Sequence, residues 1–131
     1  MKPGHEILVE NLHPAATFEE GLAQGKLLYQ RCDDCGVAQF YPRVMCSTCG
    51  SVRVQFAQSD GTGVVYAVTA VAATGDPYSV CLVDLDEGFR MMSTVVEMPA
   101  AEVSIGLRVA CRFEQEADEV WRAVFVAAPA Q

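Results

Sequence analysis

The chain is short of the residues that carry most catalysis. Only two of its 131 residues are histidine, His5 and His13, and both lie within the first 13 positions. A Cys–His couple therefore finds little support. No catalytic carboxylate pair, nucleophile elbow or phosphate-cradling glycine loop is visible, so nothing reads as a catalytic group. Positive charge is scarce as well: nine Lys and Arg stand against seventeen Asp and Glu, for a net charge of −8. A surface that holds nucleic-acid phosphates is basic, so no nucleic-acid partner is expected. No segment approaches the roughly 20 uninterrupted apolar residues of a membrane span. Residues 1–13 lack the basic start and apolar stretch of a signal peptide. The expectation is a soluble, cytoplasmic protein with no membrane partner, a compartment in which thiols stay reduced.

What the chain does have is apolar residues and cysteine. Hydrophobic residues make up 51% and charged residues 20%, enough for a real core in one domain or two very small ones. Four of the six cysteines fall in YQRCDDCGVAQFYPRVMCSTCG, residues 29–50. Cys32/Cys35 and Cys46/Cys49 are C-x-x-C pairs, each followed by a glycine, Gly36 and Gly50. That spacing places two sulfurs on one tight turn, and the glycine lets backbone N–H groups face them. The ten residues between the pairs suit a small hairpin that returns the second turn over the first. The pattern predicts a closed four-thiolate site of the zinc-ribbon or rubredoxin kind, which stabilises rather than catalyses. Zinc suits such a site better than iron, although the same ligand set also holds iron. A disulfide is disfavoured by the compartment, and a thioredoxin-like redox pair leaves the second C-x-x-C unexplained. Cys81 and Cys111 stand alone in apolar runs and read as small hydrophobes.

The rest of the chain is predicted to be mainly β. Residues 14–25 read as a short helix, with Thr17 and Glu20 as a capping box and Gly25 as its stop. KLLYQR and SVRVQFAQ read as strands flanking the cysteine turns. From Gly61 onward five β-rich runs follow, separated by turn signals at residues 75–77, 86–88 and 116–119. PAAEVSIG, before the fourth run, reads as a helical turn or a crossing loop. Five such strands in about 70 residues suit an OB-type barrel, with a small β-sandwich as the alternative. The predicted division is an N-terminal tail and helix at 1–25, a zinc ribbon at 26–58 and a five-stranded OB-fold barrel at 59–131. Met91, Met92, Tyr66 and Trp121 are read as packing residues.

Charge is unevenly spread. Between Lys26 and Arg53 lie four basic residues, Lys26, Arg31, Arg43 and Arg53, and two acidic ones, Asp33 and Asp34. An anion or acidic surface would dock most readily there. Val37, Phe40, Tyr41, Val44 and Met45 are too apolar for so small a module to hide, and should pack on the barrel or on a partner.

The order of these parts resembles one family. An F-x-E-G helix (Phe18, Glu20, Gly21) precedes the four knuckle cysteines with Pro42 and Arg43. A G-x-G-x-V-Y strand (Gly61, Gly63, Val65, Tyr66) follows, then Pro77, Tyr78, Val80, Val83, Leu85, Asp86, Glu87 and Gly88. This is similar to the domain-of-unknown-function-35 family, in which a rubredoxin-like zinc ribbon is paired with an OB-fold. One position departs from it: Glu19 stands where the family often has tryptophan. The resemblance implies a companion of thiolase-fold or other acyl-CoA enzymes (thiolases, acyltransferases, aldolases, some hydratases) that binds acyl-CoA or bridges two enzymes. The implied reading is a non-catalytic small subunit or scaffold of such a complex. Acyl-CoA or partner docking falls to Lys26, Arg31, Phe40, Tyr41, Arg43 and Arg53. The alternatives are a stand-alone acyl-CoA or small-ligand binder, a single-stranded nucleic-acid-binding OB-fold that the charge disfavours, and a rubredoxin-type electron carrier.

Overall fold

The computed structural model describes residues 8–72 and 75–128. Expectations that fall on residues 1–7, His5 among them, lie outside these. The chain divides into two compact units, Met1–Ser59 with Glu87–Phe89, and Asp60–Asp86 with Arg90–Gln131.

In the first unit, helix α1 spans Pro14–Ala23 and buries Phe18, Gly21 and Leu22. It starts earlier than the expected capping box. Pro14 occupies the first turn, where its fixed φ and missing N–H cost nothing. The Thr17 N–H is then already bonded to the His13 carbonyl at 3.1 Å, inside the helix. The predicted stop is in place: the Gly25 N–H reaches Leu22 O at 3.0 Å and the Lys26 N–H reaches Gly21 O at 2.8 Å. Strands β1 (Leu28–Cys32), β2 (Ala38–Gln39) and β3 (Val54–Gln58) form an antiparallel sheet in the order β2-β1-β3.

A chain of buried amides runs through this unit. Asn11 and Gln30 are fully buried, and Gln39 nearly so. The Asn11 Nδ2 donates to Val54 O at 2.6 Å. Gln30 uses both ends of its amide on Arg43: its Nε2 donates to Arg43 O at 2.8 Å, and its Oε1 accepts from Arg43 N at 2.7 Å. Gln39 Nε2 donates to Gln30 Oε1 at 2.8 Å and to Met45 O at 3.2 Å, while Gln39 Oε1 accepts from Ser47 N at 2.9 Å. The segment between the two cysteine pairs has little regular structure, so these two glutamines satisfy backbone groups that no strand satisfies.

An aromatic cluster lies in the same unit. Phe89 stacks on Tyr29 at 4.7 Å and on Phe40 at 5.5 Å, and Phe18 meets Phe40 and Tyr41 edge-on, each at 5.3 Å.

The second unit carries β4 (Thr62–Val71), β5 (Tyr78–Leu85), β6 (Arg90–Ser93), β7 (Arg108–Gln115) and β8 (Trp121–Ala127), in the order β6-β5-β4-β7-β8. A register shift between Val65 and Ala67 marks a bulge that bends β4. The sheet curls until Val95, just past β6, bridges in parallel to Phe125 on β8. The Val96 N–H bonds Phe125 O at 2.8 Å, and the Phe125 N–H bonds Thr94 O at 2.9 Å. This is the OB-type closure, so the mainly β fold with one short helix is as expected. The third run yields only four strand residues because Thr94–Val96 leave to make that closure. PAAEVSIG contributes one 3-10 turn, Ala100–Glu102. Val65, Val83, Val109 and Phe125 form the fully buried centre, with Cys81 beside them. Burial pushes the half-buried Cys111 thiol up to about 12, so it stays protonated and unreactive. Met91 is buried and Met92 is 68% exposed, so only the first of the pair packs as expected.

Asp86 fastens three strands at one end of this sheet. Its carboxylate accepts two hydrogen bonds from Arg108, each 2.8 Å, and one from Thr62 Oγ1 at 2.8 Å. Chiefly through Arg108, and then Thr62, its pKa is held down to about 2. A carboxyl depressed in the fold contributes stability that is present above its ordinary range near 4 and lost as pH falls toward 2. The pair is half exposed, so the effect is modest. Acid titration of an Arg108→Met variant, followed by circular dichroism, should show a smaller loss of stability over that window than the parent chain. The glutamine chain gives a larger effect. Gln30→Leu strands the Arg43 N–H and carbonyl and one end of Gln39, and should cost about 2–4 kcal/mol in denaturant unfolding.

Candidate metal centre

Both cysteine turns are built on one pattern. In the first, the Gly36 N–H bonds Cys32 O at 2.9 Å and the Cys32 N–H bonds Val37 O at 3.0 Å. In the second, the Gly50 N–H bonds Cys46 O at 3.0 Å and the Cys46 N–H bonds Ser51 O at 2.8 Å. Gly36 and Gly50 both sit at φ +77°, a conformation that side-chain-bearing residues avoid. Each turn therefore offers one buried sulfur, Cys32 or Cys46, and one exposed sulfur, Cys35 or Cys49. The buried pair packs against Val54 and Val37.

The four sulfurs lie within 4.8 Å of one another, and the Cys32–Cys49 and Cys35–Cys46 pairs are both 3.6 Å apart. A tetrahedral ion with bonds of about 2.3 Å to thiolates sets its sulfurs roughly 3.8 Å apart. The donor set fits one such ion, and the four predicted ligands converge on one point.

The electrostatics point the same way. Burial pushes the Cys46 thiol up, but the Cys49 and Thr48 N–H groups, 3.5 and 3.4 Å from its sulfur, and two neighbouring sulfurs bring it down to about 6. For Cys49 the Ser51 N–H pulls down, yet the Cys32 sulfur, burial and the other sulfurs push the thiol up to about 12. Cys35 is also raised: the Val37 N–H opposes this, but burial and neighbouring sulfurs outweigh it. One thiolate thus forms readily and suppresses its neighbours, until a cation arrives to favour all four.

The residues expected to dock a partner or acyl-CoA are placed differently from one another. Arg31 donates to two backbone carbonyls, Gly36 O at 2.9 Å and Glu87 O at 3.0 Å, with its guanidinium 5.7 Å from the Tyr29 ring centre. Arg53 faces Asp34 at 3.6 Å, and Asp34 also accepts from Ser51 Oγ. These two cations therefore hold the ribbon together. Lys26 and Arg43 are exposed and make no salt bridge among the described residues. Phe40 is half-buried in the aromatic cluster, whereas Tyr41 and Met45 remain 45% and 49% exposed. Val37 packs beside the cysteines. Gln30 and Gln39 are what the sequence reading missed. The one available signal was that strand alternation places them inward, where an unexplained amide needs a partner.

A cysteine-knuckle ribbon followed by an OB-type curled sheet defines a class of two-part zinc-ribbon proteins. Within it, the chain belongs to the ChsH2-type DUF35 family. Residues 20–53 match the model of the ChsH2 rubredoxin-like zinc ribbon domain, and residues 57–114 match that of the ChsH2 C-terminal OB-fold domain. A solved structure of the Ltp2-ChsH2(DUF35) aldolase contains a chain 30% identical to this one, with a TM-score of 0.77, covering 87% of this chain and 94% of that one. A probable enoyl-CoA hydratase alpha subunit of Thermomonospora curvata is 31% identical over 115 residues, 84% of this chain. The chain spans only 36% of that relative's length. A DUF35 domain-containing scaffold protein of Methanocaldococcus jannaschii is 29% identical over 96 residues, 68% of each chain. A DUF35-family protein of unknown function from Sulfolobus solfataricus shares the fold, at 15% identity and a TM-score of 0.64. No helix among the described residues is long and apolar enough to cross a membrane.

Ligand thiolates compete with protons, so the cluster's hold on a metal should weaken as pH falls. Titration with a chromogenic chelator should release one metal ion per chain in acid, and Cys46→Ser should either release the ion already at neutral pH or carry less than one per chain.

Proposed function

We propose that this protein is a non-catalytic accessory subunit of an acyl-CoA-processing enzyme, and that Cys32, Cys35, Cys46 and Cys49 hold one structural zinc ion in it. The observation that carries the reading is the likeness to the chain in the Ltp2-ChsH2(DUF35) aldolase, close in fold over 94% of that chain. The hydratase subunit and the DUF35 scaffold point to the same class of role. Zinc is favoured over iron by the closed four-thiolate set, which offers no open position for chemistry. The ribbon contributes a rigid body, because metal ligation removes most of the entropy its short strands would otherwise retain. Tyr41 and Met45, exposed beside the second knuckle, give that body an apolar tip, and Lys26 and Arg43 supply free positive charge. We assign partner contact to these four, and to the enzyme partner a thiolase-type or aldolase-type fold.

Co-expression with a candidate acyl-CoA enzyme from the same source should yield a complex whose mass, by light scattering, exceeds that of either chain. The complex should be colourless and contain zinc. Calorimetry of the isolated chain with acyl-CoA should show no heat. Failure to associate would remove the accessory-subunit reading. Strong heat from the isolated chain would replace it with a stand-alone acyl-CoA binder, and a red, iron-loaded preparation with an electron carrier.

A further inference from the structure

Strand β5 is apolar on both faces. Its alternation sends Ser79, Cys81, Val83 and Leu85 inward, and Tyr78, Val80 and Leu82 outward ahead of Asp84. Antiparallel strands with one side to water normally alternate apolar with polar residues, whereas two apolar faces mark a strand covered on both sides. The register extends the outward set. Ala67, Leu82 and Met92 line up across β4, β5 and β6, and Val71 stands opposite Tyr78. Met92, Tyr78 and Tyr66 are 68%, 54% and 50% exposed, so half or more of each is left open by the described residues. Tyr66, the residue skipped at the bulge, lies under the Arg90 guanidinium at 3.5 Å, and Arg90 is bonded to Asp84 at the edge of the same face.

We infer that the outward face of β4–β5–β6 is a docking surface for a protein whose contacting face is apolar at its centre and basic around its rim. Charge selects this occupant. The second unit holds ten acidic residues and four arginines, a net charge of −6. All four arginines are in ion pairs: Arg90 with Asp84, Arg108 with Asp86, Arg112 with Glu97 and Glu114, and Arg122 with Glu116. A polyanion such as coenzyme A or a nucleic acid finds no free cation on this unit. A second copy of the chain brings another −8, and like charge across an interface disfavours pairing. A protein with an apolar centre and a rim of Lys and Arg meets neither obstacle.

The inference rests on the accessory-subunit reading, and the test separates the two. Met92→Lys, Tyr78→Lys and Val120→Lys are each prepared in the full chain and titrated against the acyl-CoA enzyme with which the wild-type chain is co-expressed, at low and high salt. Val120 is also exposed, at 47%, but lies at the β7–β8 tip, away from this face. Met92→Lys and Tyr78→Lys should each weaken binding about tenfold or more, while Val120→Lys leaves it within about twofold. Wild-type affinity should fall as salt rises. Unchanged affinity in both face variants overturns the inference and leaves the accessory-subunit reading intact. Absence of a wild-type complex overturns both. If light scattering shows the isolated chain to be a dimer that Met92→Lys dissociates, the occupant is a second copy and the inference fails.

Discussion

Four cysteine sulfurs within 4.8 Å of one another cannot all ionise unaided, because each new thiolate raises the cost of the next. Burial raises the Cys46 thiol, yet backbone N–H groups and neighbouring sulfurs bring it down to about 6, whereas Cys49 is pushed up to about 12 against the pull of the Ser51 N–H. A dication at the centre reverses the sign of the interaction, and the repelling set becomes a clamp. The knuckle turns, the two glycines and the Asp33 and Asp34 contacts to the segment after Cys49 all serve to bring these sulfurs to one point. Gln55 Nε2 bonds Asp33 at 2.8 Å, so even the exposed rim of the first knuckle is fastened to β3.

Around the cysteine cluster the apolar packing is small, Val54 and Val37, and buried amides hold the neighbouring loop. Gln30 and Gln39 satisfy the loop that leads to the second knuckle, and Asn11 connects the same chain of amides to β3. The curled sheet is the opposite case. Its centre is apolar, Val65, Val83, Val109 and Phe125, and its polar interior contact, Ser79 Oγ, accepts the Val95 N–H at 3.1 Å where β6 gives way to the closing bridge. A small unit set by converging cysteines, buried amides and an aromatic cluster, and a sheet set by packing, are two ways of presenting a stiff surface.

The sequence made the convergence of the four cysteines legible because four thiols at fixed spacing leave few geometries open. The five β-rich runs were legible from their alternation and turn residues. Two kinds of feature were not. The helix begins at Pro14, the first residue of the expected span, but the expected capping box does not start it: Thr17 lies inside the helix, and local pattern cannot rank a first-turn proline against a capping hydroxyl. The basic segment looked like one anion site, but charge counting does not show where a guanidinium ends. Arg31 is bound by two carbonyls and Arg53 faces Asp34, which leaves Lys26 and Arg43. The outward row of Leu82 and Met92 was hidden for a related reason. Apolar residues in a strand read as core until the register shows which face they occupy.

The account stands on the claim that metal ligation gives the ribbon the shape its enzyme partner grips. The most direct test is native mass spectrometry of the assembled complex before and after stripping the metal with a strong chelator. The account predicts that the small subunit loses one zinc ion and leaves the complex in the same step, and that both return when zinc is restored. A complex that keeps its subunit after the metal is gone would contradict it.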